Sequence, residues 1–226
     1  MVFLFEYKIN KKNALKNIFI LISVLLGHFT FSQVYSFDFL TKYVLKSADL
    51  KHQETREIVT YFNTDDFSYY LKIGGEGKQL TAHLYDMNSH KVYHFTVLQS
   101  GTGNDVQFQF KYVDSSYNPF SDRKPEKLHF AFVQDINSPQ NGTINIYTSA
   151  KKKKLISSTE ITFAKANKNL FPIFRAIAIH PYHFDKKMDI QGNHIVKFGK
   201  FNNGKIICFY HLEEYKNVEL HLEIPK

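Results

Sequence analysis

Cysteine occurs once among the 226 residues, tryptophan not at all, and no hydrophobic run is long enough to cross a bilayer. Each absence excludes something. A lone Cys208 rules out an intramolecular disulfide, and so far from the N-terminus it is not the lipid-bearing cysteine of a lipoprotein, which directly follows the cleavage point. The apolar run at 18–26 (IFILISVLL) falls well short of the ~20 residues that a spanning helix needs. Familiar catalytic signatures are missing too. There is no G-x-S-x-G elbow, no H-E-x-x-H and no P-loop, and the glycine-rich GGEGK at 74–78 joins two strand-like segments rather than a strand to a helix. Ser149 and Lys152 match a bare S-x-x-K, but they sit in a turn without the companion motifs.

What is present is aromatic and alternating. The chain has 22 Phe and 14 Tyr, a bias suited to pleated, half-buried surfaces. Before the pattern begins, residues 1–32 read as a secretory signal: Lys11, Lys12 and Lys16 precede the apolar run, and Thr30 and Ser32 are small residues at the −3 and −1 positions of a cut before Gln33. Residues 33–226 are then expected to form a single β-rich domain. Removing four lysines and one glutamate with the signal lowers the formal charge from +8 to +5, a mild excess concentrated at Lys151–Lys154 in a turn. An exported chain of that charge is not expected to meet nucleic acid.

Period-two alternation marks eleven candidate strands. In DVQFQFKYV (105–113), Val106, Phe108, Phe110 and Tyr112 share one face while Gln107, Gln109 and Lys111 share the other. The others lie at 37–46, 54–62, 67–73, 79–86, 91–99, 127–133, 143–149, 155–163, 205–212 and 217–224. Short connections rich in Gly, Asn and Ser separate most of them, which leaves no room for crossover helices and predicts an antiparallel meander. The expected fold is mainly β: a curved sheet, half-barrel or open barrel.

One stretch departs from alternation. In NLFPIFRAIAIHPYHF (169–184), Leu170, Phe171, Ile173, Phe174 and Ile177 suit a helical face, with Pro172 tolerable in a first turn; the Ile and Ala residues would also suit a strand. Either way it is a buried plug with one charge, Arg175, for which Glu160, Asp185 and Asp189 are candidate partners. His180 and His183, with Asp185, are the candidate metal ligands, but their spacing matches no strong signature, so neither metal nor other cofactor is expected. A second histidine group surrounds one hairpin, where His83 and His94 face each other if strands 79–86 and 91–99 pair.

The signal ending TFSQ, followed by YFNTDDFSYYLKI, AHLYDMNSHKVYHFTV and NLFPIFR, resembles uncharacterised secreted β-rich proteins of Gram-negative bacterial envelopes. More distantly, a meander wrapped around an apolar plug is similar to the half-barrel of periplasmic lipoprotein carriers. That likeness implies a non-enzymatic exported protein of the periplasm, envelope or exterior. It would hold an apolar small molecule, lipid or partner segment on a concave face, lined by Phe108, Phe110, Phe130 and Phe132 with Phe174 and Arg175 from the plug. The alternatives are a structural or adhesion module meeting another envelope protein, and a metallohydrolase using His180, His183 and Asp185.

Overall fold

The computed structural model describes residues 32–48, 53–75, 80–101, 107–118, 128–149, 151, 154–178, 188 and 190–225. Eleven strands and one helix follow in chain order: β1 (Gln33–Ala48), β2 (Gln53–Phe62), β3 (Tyr69–Gly74), β4 (Leu80–Asp86), β5 (Lys91–Ser100), β6 (Gln107–Tyr117), β7 (His129–Gln134), β8 (Asn141–Tyr147), β9 (Leu155–Lys165), α1 (Phe171–Ala178), β10 (His194–Asn202) and β11 (Ile207–Ile224). Among the described residues no helix is long and apolar enough to cross a membrane, which says nothing of strands. The chain divides into two compact units. Of Met1–Tyr35 with Leu222–Lys226, the described residues are essentially the opening of β1 and the close of β11; the core, helix and cavity belong to Ser36–His221.

All eleven strands form one open antiparallel sheet in the order β6-β5-β4-β3-β2-β1-β11-β10-β9-β8-β7. The meander therefore runs outward in both directions from a central β1–β11 pair. The alternation of the sequence becomes the two faces of this sheet. On one face, cross-strand partners follow one another as Phe39, Phe62, Tyr70 and Tyr85 from β1 to β4. On the opposite face run Tyr61, Leu71, Leu84 and Tyr93 from β2 to β5.

The helix packs on the first of these faces. Asn169 caps it by accepting the Phe171 N–H at 3.0 Å, and Pro172 occupies the first turn, where its missing N–H leaves no intrahelical bond unmade. Phe171, Ile173 and Phe174 are fully buried and join Tyr43, Phe62, Ile144, Ile161, Val196 and Leu212 in one core. Close approach is possible because β10 carries Gly199 beneath the helix: a Cβ there would stand 2.4 Å from Cζ of Phe174. Tyr43 closes the other side, its buried hydroxyl donating to the Val196 carbonyl at 2.6 Å.

Two differences from the sequence reading have physical causes. The strand β10 escapes the alternation rule because the register slips between Val196 and Phe198, a bulge at Lys197 that exchanges the odd and even faces. Conversely, segments 205–212 and 217–224 are not separate strands. Polar Glu213, Glu214 and Lys216 continue one long β11 with exposed side chains rather than turning the chain.

Candidate functional site

A cavity of about 540 Å³ lies between the helix-bearing face of the sheet and the last turn of α1. Its wall draws on β2, β3 and β4 through Ile58, Tyr70 and Tyr85, and on β8 and β9 through Ile146 and Ile156. Strands β4 and β8 stand seven places apart in the sheet order, about 34 Å if the sheet were flat at ~4.8 Å per strand. They meet one cavity because the sheet curves into a trough. Cys208, Tyr210 and Phe201 complete the floor, and Ala176, Ile177 and Ala178 the roof.

Helix α1 fills the trough unevenly. Its bulky Phe171, Ile173 and Phe174 close the part over β10 and β11, where Phe174 meets Tyr210 edge-on at 5.7 Å. At its last turn the smaller Ala176 and Ala178, with Ile177, line the cavity together with Tyr70 and Lys72 of β3 and Tyr85 of β4.

Two rows of side chains on the helix-bearing face enter the cavity wall, one through Tyr70 and Tyr85 and the other through Thr60 and Lys72. The first is aromatic: Tyr70 stacks on Phe62 at 5.9 Å and on Tyr85 at 4.9 Å, nearly parallel in both pairs. Burial raises the phenol of Tyr70 above its ordinary value, with the neighbouring Tyr85 adding to the shift, and raises that of Tyr210 to about 12, so both are neutral donors at ordinary pH. The second row is polar. Cross-strand partners Thr41, Thr60, Lys72, His83 and His94 lie in line from β1 to β5. His83 Nδ1 and His94 Nδ1 are 2.8 Å apart, and His94 Nε2 is 2.9 Å from the Ser116 hydroxyl. Burial first, then His94, then Lys72 depress the pKa of His83.

The six residues that the sequence nominates for a ligand fall into different places. Phe130 and Phe132 pack against the helix-side core, Phe132 with its ring lying over Gly142. Phe174 is within that core, and Arg175 is buried beside it, Nη1 donating to the Met188 carbonyl at 2.7 Å, while Glu160 pairs with Lys200. Phe108 and Phe110 are on the opposite face, where Phe110 meets Tyr61 and Phe95 edge-on. None of the six is among the residues lining the cavity. The metal candidates His180, His183 and Asp185 lie outside the described residues, and among those described no group of three or more His, Cys, Asp or Glu is arranged to hold a metal. Cys208, half-buried, lines the cavity with its Sγ 3.8 Å from the Ser47 hydroxyl.

No family model matches the chain, and no curated protein matches its sequence. Among solved structures it is similar to a LolA superfamily protein from Nitrosomonas europaea, at 9% identity over 81% of this chain and 87% of that one, with a TM-score of 0.37. It is similar also to a putative outer membrane lipoprotein-sorting protein domain from Vibrio parahaemolyticus, at 10% identity over 80% and 85% of the two chains and a TM-score of 0.33. PNGF-II matches at 9% identity over 80% of this chain but 28% of its own, with a TM-score of 0.32. The first two are of the kind whose half-barrel the sequence resembles. Scores this low bear on neither function nor site.

Proposed function

We propose that the chain is a non-enzymatic exported binding protein that holds an apolar, lipid-like ligand between the curved sheet and the last turn of α1. One observation carries the reading: a cavity of about 540 Å³ whose walls are mainly aliphatic and aromatic, at the boundary of the helix-side core. That volume is within the ~300–1,000 Å³ of ordinary ligand sites, which combine apolar walls with a few placed polar groups. The site residues are then Tyr70, Tyr85, Ile146, Ile177, Phe201 and Tyr210, with Ala176 and Ala178 leaving the room.

The test is native mass spectrometry of the chain purified from its own envelope, followed by organic extraction and uptake of added palmitate. A lipid-sized mass on the purified chain is expected, together with its loss in Ala178→Phe, a substitution that fills the cavity from its roof. A bare chain that also takes up no palmitate would overturn the reading.

A further inference from the structure

The cavity wall carries positive charge at two places. Some lysines of the described structure meet carboxylates: Lys42 is 2.7 Å from Glu57, Lys168 3.1 Å from Asp65 and Lys200 3.3 Å from Glu160. Lys72 and Arg56 line the cavity, and neither has an ion pair among the described residues. Among the described residues that line the cavity there is no Asp or Glu. Burial holds the Lys72 ammonium below its ordinary pKa, and the like charge of Arg56 adds to the depression. Two cations thus share an apolar cavity, and the described residues of its wall supply no anion.

A third, uncharged group belongs with them. Thr60 is 1% exposed, lines the cavity, and its Oγ1 has no hydrogen-bond partner. A buried hydroxyl left unpaired is costly, and most such groups in folded proteins are satisfied. Register places Thr60 directly across from Lys72, and period two keeps Arg56 on the same face of β2. The arrangement offers an ammonium and a hydroxyl side by side, with an exposed guanidinium where the cavity meets solvent. The aromatic row runs alongside.

We infer that the cavity selects a single-chain amphiphile with an anionic end, carboxylate or phosphate, seated over the Thr60–Lys72 pair with Arg56 at the opening and the acyl chain along Tyr70 and Tyr85. This rests on the reading of the cavity as an apolar ligand site and adds the polarity and direction of the ligand. An anionic oxygen there accepts from Lys72 Nζ and Thr60 Oγ1, so one group pairs the ammonium and satisfies the buried hydroxyl. Charge-assisted bonds of this kind are about twice as strong as neutral ones, and a site built around them discriminates by leaving its polar groups unpaired when the wrong ligand enters.

The experiment is displacement of a fluorescent fatty-acid analogue from the purified full chain by palmitate, palmityl phosphate, palmityl alcohol and inorganic phosphate. Palmitate or palmityl phosphate is expected to bind about tenfold more tightly than the alcohol, equivalent to about 1.4 kcal/mol. That preference should fall away in Lys72→Gln, with the anions losing more affinity than the alcohol. Whichever anion is preferred separates a free fatty acid from a phosphate headgroup. Arg56→Gln, at an exposed position, keeps the test decisive should Lys72→Gln fail to fold, since it too should narrow the gap. Equal affinity for alcohol and anions would overturn the inference while leaving the apolar cavity reading intact. Absence of binding by all three chains would sink that reading itself. Displacement by inorganic phosphate alone would overturn the amphiphile assignment in favour of a simple anion site.

Discussion

The two ends of α1 lie over the same sheet and meet it in opposite ways. At the first end, Phe171, Ile173 and Phe174 are fully buried against Ile161, Val196 and Gly199; at the second, Ala176, Ile177 and Ala178 roof a cavity over Tyr70 and Tyr85. Both ends lie on one eight-residue helix and above strands of the same alternating kind. The difference lies in side-chain volume. Interiors are normally packed with few voids larger than a water molecule, so a trough left part-empty beside a tightly filled one sets the proposed binding region apart from the stabilising one.

The largest expected effect comes from making the closed end resemble the open one. Phe174→Ala would empty the fully buried position over Gly199 and is expected to destabilise by ~3–5 kcal/mol, measured by chemical denaturation. A loss below ~1 kcal/mol would mean that the two ends are not energetically distinct. A smaller effect tests the same contact from below. Gly199→Ala is expected to cost ~1–3 kcal/mol, because its Cβ would fall 2.4 Å from a ring that has no free space to move into. In combination with Phe174→Leu that cost should shrink, since the two positions share one contact and their effects will not add.

The smallest effect concerns the polar row beneath the open end. His83 has its pKa lowered from 6.5 by burial, by His94 and by Lys72, so the folded state disfavours its charged form. Above about pH 6.5 the imidazole is neutral whether folded or not, and nothing is lost. As pH falls below that value the unfolded chain takes up the proton more readily, and stability declines until the folded pKa is passed. Thermal melts from pH 7.5 down to 5 should show the decline, and His83→Gln should make it shallower. An unchanged slope in the variant would assign the effect to other groups.

Much of the sheet is legible in the sequence because period-two alternation and Gly/Asn-rich connections are local signals. The strands from FSYYLKI to KVYHFTVLQ appear as β3, β4 and β5 with little adjustment. So is the pairing of His83 with His94, since one tight hairpin fixes their register. The helix was half legible: apolar character was plain in LFPIFRAIA, but its conformation depends on the Asn169 cap and on Gly199, some thirty residues further on.

The cavity was not legible. Phe108 and Phe110 look like a binding face because they alternate cleanly, yet alternation defines two faces without saying which one the helix covers. Tyr70, Lys72 and Tyr85 alternate just as regularly; what sets them apart is cross-strand register with Phe62 and Thr60, and curvature that brings β4 and β8 to one space. Neither can be read from a strand considered alone. The missed β10 is the converse case, where a single bulged residue hides a strand that pairs on both sides.

The strand order also bears on how the chain reaches this state. Each flank, β1 to β6 and β7 to β11, is built of neighbours in sequence, so either can zip up hairpin by hairpin at small entropic cost. The seam between β1 and β11 joins distant parts, and the helix-side core joins others, as when the Tyr43 hydroxyl on β1 finds Val196 on β10, 153 residues away. Contacts of such separation are slow to close, and the trough does not exist until they do. The proposed ligand would therefore have nothing to bind in either flank alone, and its capture would report on completion of the whole sheet.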